Sequence, residues 1–145
     1  MRVLLSTIGS RGGVEPLVAL ASQLREHGQE VRFCVPPDFR DWIDGLGYPV
    51  VPIGPELRPR VSSSRPAPQA EPTPEQRRQV IEATVATQFA TICEAAQGCD
   101  VVLGFGSMQI AAHSAAELVG ISYVYATYSP VTLPSPHHAP PPLPG

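Results

Sequence analysis

Two residue types are missing from this chain of 145 residues: it has no lysine and no asparagine, and all ten of its basic residues are arginines. Both missing types use AT-rich codons, so their absence indicates a GC-rich bacterial genome. Without lysine the chain cannot form a Walker-type phosphate loop, a lysine Schiff base or a serine–lysine nucleophile. Three familiar kinds of catalytic or phosphate site are therefore excluded.

Strong charge and long apolar runs are also lacking. The net charge is −3, so we expect neither nucleic acid nor an anionic membrane as a partner. No apolar run is long enough to span a bilayer, and the first residues lack the basic start of a signal peptide. The three cysteines, Cys34, Cys93 and Cys99, show no CxxC spacing. We expect a cytoplasmic protein with reduced core thiols and no bound metal.

Apolar runs alternate with amphipathic segments along the chain. Strands are predicted at residues 2–7, 30–35, 48–53, 100–105 and 122–127, and helices at 14–27, 38–46, 74–97 and 108–119. Alternation at this spacing is typical of right-handed βαβ units. The predicted fold class is therefore α/β, Rossmann-like, with a mainly parallel sheet and helices on both faces, forming one domain over residues 1–145.

Two segments are rich in proline and are predicted to lie outside regular structure. Residues 54–72 form a long polar loop, which we expect to be mobile until a ligand binds. From residue 129 the chain becomes stiff and extended, and it stops without a closing helix or strand. This ending suggests that the chain has been cut short of a complete protein.

The first strand is followed by a glycine-rich turn. Such a turn before a helix lets backbone N–H groups and the positive end of the helix dipole face an anion or ligand. The spacing is G-x-x-G-G, and the second strand ends in Val35-Pro36, which does not match a dinucleotide-binding fingerprint. Neither Ser10 nor Ser107 lies in a G-x-S-x-G elbow, which argues against a serine hydrolase.

Four stretches together resemble one family. They are the start MRVLLSxxGSRGxVEPLVALA, then residues 32–38, 116–123 and 129–136 with the proline-rich continuation. The chain resembles the N-terminal domain of GT-B glycosyltransferases that decorate glycopeptide antibiotics, and sterol glycosyltransferases share the turn. The resemblance covers essentially the whole chain in the right order.

This resemblance implies a function and a missing half. A GT-B enzyme has an acceptor-binding N-terminal domain and a C-terminal domain that binds most of a UDP- or dTDP-sugar. The chain would supply the acceptor half of a transferase acting on a natural product, such as an antibiotic aglycone. It would bind no cofactor or metal by itself, and alone it would be inactive because positioning of both substrates supplies much of the rate.

The chain departs from the family at one position. The usual catalytic base is an aspartate in the first turn, where this chain has Gly13, and a glycine cannot accept the proton of the attacking hydroxyl. Another residue could serve as base, with Glu15, His137, His138 or the missing half as candidates. Alternatively, an acidic phenol as acceptor would need little help, or the protein is a weak or non-catalytic binding module.

The family pattern also assigns binding residues. Ser10, Arg11 and Gly12 match the edge that meets the donor diphosphate; the alternative is a plain strand–helix turn with Arg11 solvated. Acceptor contacts are expected at the end of the fourth strand and in the proline-rich segment, namely from Ser107, Met108, Ser129, Thr132, His137 and His138. The structural alternatives are an N-cap for Ser107, core packing for Met108 and ordinary surface histidines.

Overall fold

A computed structural model describes residues 1–57, 72–130 and 133–139. Five parallel strands form one sheet in the order β3-β2-β1-β4-β5. The strands are β1 (Arg2–Thr7), β2 (Glu30–Val35), β3 (Val50–Pro52), β4 (Val101–Phe105) and β5 (Ser122–Ala126). In the centre of the sheet Leu5 pairs with Phe33 on one side and with Leu103 on the other. The predicted Rossmann-like α/β class is confirmed.

Helices cover both faces of the sheet. They are α1 (Arg11–Glu26), α2 (Arg40–Gly45) after a 3₁₀ turn at Pro37–Phe39, α3 (Pro74–Ala95) and α4 (Ala112–Val119). Alternate residues of β1 serve the two faces, as strand geometry requires. Val3 and Leu5 join the core under α1 and α2, whereas Leu4 joins the core under α3 and α4.

Three predicted boundaries are wrong in ways that affect the site. Helix α1 begins at Arg11 instead of residue 14, because the Ser10 carbonyl already accepts from the N–H groups of Gly13 (2.8 Å) and Val14 (3.2 Å). Helix α4 begins at Ala112 instead of residue 108, which leaves a turn between β4 and the helix. Strand β3 covers only Val50–Pro52 of the predicted residues 48–53.

Helix α3 is buried over only part of its length. Its C-terminal half packs Ile92 and Ala95 into the core, as does the C-cap residue Ala96, whereas Val80 and Ile81 in its N-terminal half are 65% and 59% exposed. The C-terminal half of α3 therefore holds the helix to the sheet, whereas Val80 in the N-terminal half lines a groove described below.

The predicted state of the cysteines can be compared with the structure, whereas most of the predicted loop cannot. Cys34 and Cys99 are buried and Cys93 is half-buried, and all three are free thiols. The predicted mobile loop over residues 54–72 lies mostly outside the described residues. Within the described part of the chain, no helix is long and apolar enough to cross a membrane.

Candidate functional site

The sheet has a topological switch point between β1 and β4. The chain moves outward from β1 to β2 and β3, then returns to place β4 on the other side of β1. In open parallel sheets, ligands bind at the carboxyl ends of the strands at such a point. A binding site is therefore expected at the loops after β1 and β4.

Two side-chain contacts tie these loops together. Thr7 at the end of β1 donates from its hydroxyl to the Phe105 carbonyl at the end of β4, at 3.0 Å. The buried Gln109 amide lies 2.9 Å from Ser6 Oγ, and its oxygen accepts from the backbone N–H groups of Ile8 (3.1 Å) and Thr7 (3.3 Å). The turn after β1 is thus held by hydrogen bonds from the segment after β4.

Ser10, Arg11 and Gly12 lie at the start of α1 and are exposed. Ser10 is the N-cap residue, but its side chain makes no capping hydrogen bond. The first N–H groups of a helix have no acceptor within the helix, and they carry the positive end of its dipole. This arrangement leaves the start of α1 suited to an anionic group.

Arg11 has a defined position although most of its side chain is exposed. Its guanidinium carbon lies 5.3 Å from the centroid of the Trp42 ring and its Nη2 lies 3.5 Å from a carboxylate oxygen of Glu15. The ion pair is exposed and contributes little, so the cation–π contact with Trp42 is the main restraint. Because α1 begins at Arg11 instead of residue 14, Glu15 is the fifth residue of the helix.

Gly13 is buried and faces two hydroxyl groups. A Cβ at this position would lie 3.5 Å from the Tyr128 hydroxyl and 3.7 Å from Thr7 Oγ1, both ordinary van der Waals contacts. The Tyr128 ring rests on Phe105 with 5.0 Å between the ring centroids. A Cβ would therefore fit at position 13 without moving the backbone, and the Tyr128 hydroxyl would lie beside it.

An apolar groove of about 590 Å³ opens at the same edge of the sheet. Its floor comes from the residues that follow β1 and β3, which are Ile8, Ile53, Gly54, Pro55 and Leu57. One wall is the first part and the middle of α3, through Val80, Ala83, Thr84, Thr87 and Gln88, and Met108 contributes from the turn after β4. No charged side chain of the described part of the chain lines this groove.

Three of the residues predicted to bind the acceptor, Ser107, Met108 and Ser129, lie in the segments that follow β4 and β5. Met108 lines the groove and is 44% exposed, so the alternative of core packing is wrong for it. Ser107 is exposed in the same turn and does not cap α4, whose N-cap is Ala111. Ser129 follows β5 at the carboxyl edge, where its N–H donates to Thr127 Oγ1 at 3.0 Å.

The two histidines lie further along the chain. His137 and His138 are exposed, and their hydrogen bonds are local: the His137 N–H donates to Ser135 Oγ at 3.1 Å, and His138 Nδ1 lies 3.1 Å from the Ala139 carbonyl oxygen. Thr132 lies outside the described residues. Across residues 1–57, 72–130 and 133–139 there is no cluster of three His, Cys, Asp or Glu residues that could hold a metal ion.

Three residues at this edge are not predicted as site residues from the sequence: Tyr128, Gln88 and Gln109. Tyr128 follows a predicted strand and so could have been placed at the carboxyl edge, but nothing local indicates its contact with Gly13. The two glutamines are buried, at 3% and 7% exposure, although glutamine in a helix or turn ordinarily indicates surface.

Several known proteins of similar sequence are glycosyltransferases. The chain is 48% identical over 98% of its length to the glycosyltransferase GtfE of Amycolatopsis orientalis, and 44% identical over 99% to the vancomycin aglycone glucosyltransferase of the same organism. Each match covers 34% of the relative, so the chain spans about a third of the length of these proteins.

A solved structure and a family description agree with these relatives. The Streptomyces sp. SF2575 glycosyltransferase SsfS6, crystallised with thymidine diphosphate, is 25% identical with a TM-score of 0.61, over 88% of this chain and 38% of SsfS6. Residues 3–135 match the description of the glycosyltransferase family 28 N-terminal domain. With its parallel sheet, its glycine-rich turn and its apolar groove at one edge, this chain belongs to the glycosyltransferase family 28 N-terminal domain, in the GT-B class of enzymes.

Proposed function

We propose that the protein containing this chain transfers a sugar from a nucleotide donor, a UDP- or dTDP-sugar, to a natural-product acceptor such as an antibiotic aglycone. This chain supplies the acceptor half. The observation that carries the proposal is the apolar groove at the carboxyl edge of the sheet, which includes Ile8 from the glycine-rich turn. A relative named for the vancomycin aglycone supports this class of acceptor.

The chemistry of the groove favours an acceptor over a nucleotide. A diphosphate is bound best by cationic groups, and the described lining of the groove has no cationic side chain. The start of α1 differs, because it combines the exposed Arg11 with unpaired helix N–H groups. We assign Ser10, Arg11 and Gly12 to the donor side, where they would stabilise the charge that develops on the leaving nucleotide.

The attacking hydroxyl must lose its proton during transfer, and the family position for the base holds Gly13. Glu15 is exposed and paired with Arg11, and His137 and His138 make local contacts. Tyr128 has the polar group nearest to the open position at Gly13, 3.5 Å from a Cβ there, and the next nearest, the Thr7 hydroxyl at 3.7 Å, already donates to the Phe105 carbonyl. Tyr128 is thus a positioning residue for the acceptor hydroxyl, and the base comes from the other candidates or from the second half of the protein.

Gly13 also supports a second candidate function. A chain without the family carboxylate could bind the same acceptor without transferring a sugar to it. This binding module would use the same groove and the same turn, so ligand binding alone does not separate the two functions. Sugar transfer by the whole protein separates them.

Binding to the chain can be tested with vancomycin aglycone and dTDP-glucose in separate NMR titrations. We expect the aglycone to shift the amide signals of the groove, particularly those of Ile53, Leu57 and Thr87, and dTDP-glucose to affect at most the start of α1. Replacing Thr84 with Arg, which puts a charge into the apolar wall, should weaken aglycone binding, and Arg78 on the exposed side of the same helix serves as the site of a control change to Gln. Aglycone shifts confined to residues far from the groove would contradict the proposal.

A further inference from the structure

A second pocket lies at the opposite edge of the sheet from the groove. Its volume is about 390 Å³, within the range of ~300–1,000 Å³ that is typical of small-molecule sites. Arg2 and Glu30, the first residues of β1 and β2, line it together with Arg25 and Arg32. The pocket is therefore formed at the amino ends of the strands, and it shares no lining residue with the groove.

The charges around this pocket are unbalanced. Three arginines and one glutamate are the charged residues among its described lining, which gives the pocket a charge of +2 in a chain whose net charge is −3. Glu30 is already paired with Arg2, whose Nε donates to its Oε2 at 2.8 Å. Across the described ranges, no carboxylate forms an ion pair with Arg25 or with Arg32.

Arg25 is held at the pocket by an aromatic ring. Its guanidinium carbon lies 4.4 Å from the centroid of the Tyr48 ring, and its Nη1 donates to the Leu46 carbonyl at 3.2 Å. Tyr48 is buried, and its ring packs edge-on against Phe33 with 5.4 Å between the centroids. The core thus fixes the ring, and the cation–π contact positions the exposed guanidinium.

Arg32 is held by the end of α3. Its Nη1 donates to the carbonyls of Ala95 at 2.6 Å and Gln97 at 3.0 Å, which orients the guanidinium without cancelling its charge. A guanidinium has five N–H donors. In the part of the chain that the structure describes, the Nε and Nη2 groups of Arg25 and Arg32 make no hydrogen bond. Both side chains therefore keep donors and positive charge for a ligand.

We propose that this pocket binds a doubly charged oxyanion of the phosphate type, either free phosphate or the phosphate group of a small ester. A guanidinium presents its N–H donors in a planar fork that matches the oxygens of a phosphate, and the charge of two unpaired arginines matches that of a dianion. This site is additional to the acceptor groove and to the start of α1, and the inference does not rest on the proposed function.

The proposal can be tested by titrating the chain with three anions. Inorganic phosphate, glycerol 3-phosphate and acetate are added at pH 7.5, with sodium chloride adjusted to keep the ionic strength constant, and dissociation constants are obtained from NMR amide shifts. The variants are Arg25→Gln, which removes the charge, and Arg25→Lys, which keeps it. Arg40 is exposed on α2 and does not line the pocket, so Arg40→Gln is the control with the same loss of net charge.

We expect phosphate to shift the amide signals of Val31 and Gly47, which line the pocket, and acetate to shift them much less. Arg25→Gln should weaken phosphate binding by roughly five- to thirtyfold, the range for losing one partly exposed charge-assisted hydrogen bond, whereas Arg40→Gln should leave it nearly unchanged. Arg25→Lys should bind with intermediate affinity. Tighter binding of glycerol 3-phosphate than of phosphate would identify an ester as the ligand, and equal or weaker binding would identify the free ion.

The alternative is that these arginines only stabilise the ends of α1 and α3, where cations are favourable. In that case phosphate and acetate would produce the same small shifts in the unmodified chain, and the inference would be overturned without any variant. Equal weakening by Arg25→Gln and Arg40→Gln would also overturn it, because that result indicates attraction to the net charge rather than binding in the pocket.

Discussion

Gly13 is the residue at which small chemical changes should have large effects. A Cβ there meets only ordinary contacts, and the carboxylate of Gly13→Asp would lie in the first turn of α1, where the helix dipole favours it. In the whole protein we expect Gly13→Asp to raise transfer to an aliphatic alcohol by ~10²–10⁴-fold, the usual contribution of a general base. Transfer to an acidic phenol should rise less, because a phenol depends less on a base.

The matched control is Gly13→Ala, which adds the Cβ without the carboxylate. Rates with an alcohol and with a phenol are measured for all three proteins. If Gly13→Asp changes neither rate while alanine at Glu15, His137 or His138 abolishes transfer, the base lies elsewhere and the binding-module function is also excluded. If no protein in the series transfers sugar, the binding-module function gains support.

The N-terminal half of α3 is an element held mainly by its own cap. Thr73 Oγ1 accepts from the Gln76 N–H at 3.2 Å, and Gln76 Oε1 accepts from the Thr73 N–H at 2.8 Å. Residues 74–84 are exposed, so the core adds little to their stability. We expect Thr73→Ala to destabilise this half by about 1 kcal/mol, the usual effect of losing such a cap. Amide hydrogen exchange at residues 77–84 should become faster while exchange in β1 is unchanged.

The same change should weaken ligand binding in the groove, since Val80 and Ala83 form part of its wall. Thr73→Ser keeps the hydroxyl and should restore both the exchange protection and the affinity. Equal loss of protection in α3 and in β1 would mean that the whole helix unfolds together with the sheet, contrary to this description.

At the element scale, what the sequence predicts depends on how local the signal is. The start of α3 at Pro74 and the strand at Glu30–Val35 are predicted correctly because adjacent residues determine them. The start of α1 is missed because two glycines, which are poor helix formers, lie within three residues of Ser10. In the structure the Ser10 carbonyl nevertheless closes the first turn of the helix there. The groove could not be predicted, because it requires α3 to lie beside the ends of β1 and β3, which are distant in sequence.

At the scale of the whole molecule, the sheet order brings the turn after β1 next to the turn after β4. The alternation of strands and helices predicts a parallel sheet, and the family resemblance predicts which edge carries the site. Neither predicts that Gln109 and Thr7 link the two turns, because these contacts join residues about a hundred positions apart. The candidate site is therefore a product of the topology, and changes in the sheet should affect it.

Because the Cys34 thiol is buried in the sheet, the stability of the whole molecule should decrease at alkaline pH. Burial raises the pKa of the Cys34 thiol to about 12 from an ordinary value of 9.0, against a smaller opposite effect of the Ser6 hydroxyl. Between these values the unfolded chain has lost the proton that the folded chain keeps. The free energy of unfolding should therefore be unaffected below pH 9 and should fall above it, by at most about 1.4 kcal/mol per pH unit from this thiol.

Urea unfolding under reducing conditions at several pH values between 8 and 11 measures this fall. Cys34→Ala is the comparison: it lowers stability at every pH by removing a buried sulfur, and its free energy should fall less steeply above pH 9. Some slope should remain, because burial also raises the pKa values of Cys99 and Tyr123. If Cys34→Ala and the unmodified chain lose stability in parallel, Cys34 ionises equally in both states, and the core around β2 is more accessible to water than its burial indicates.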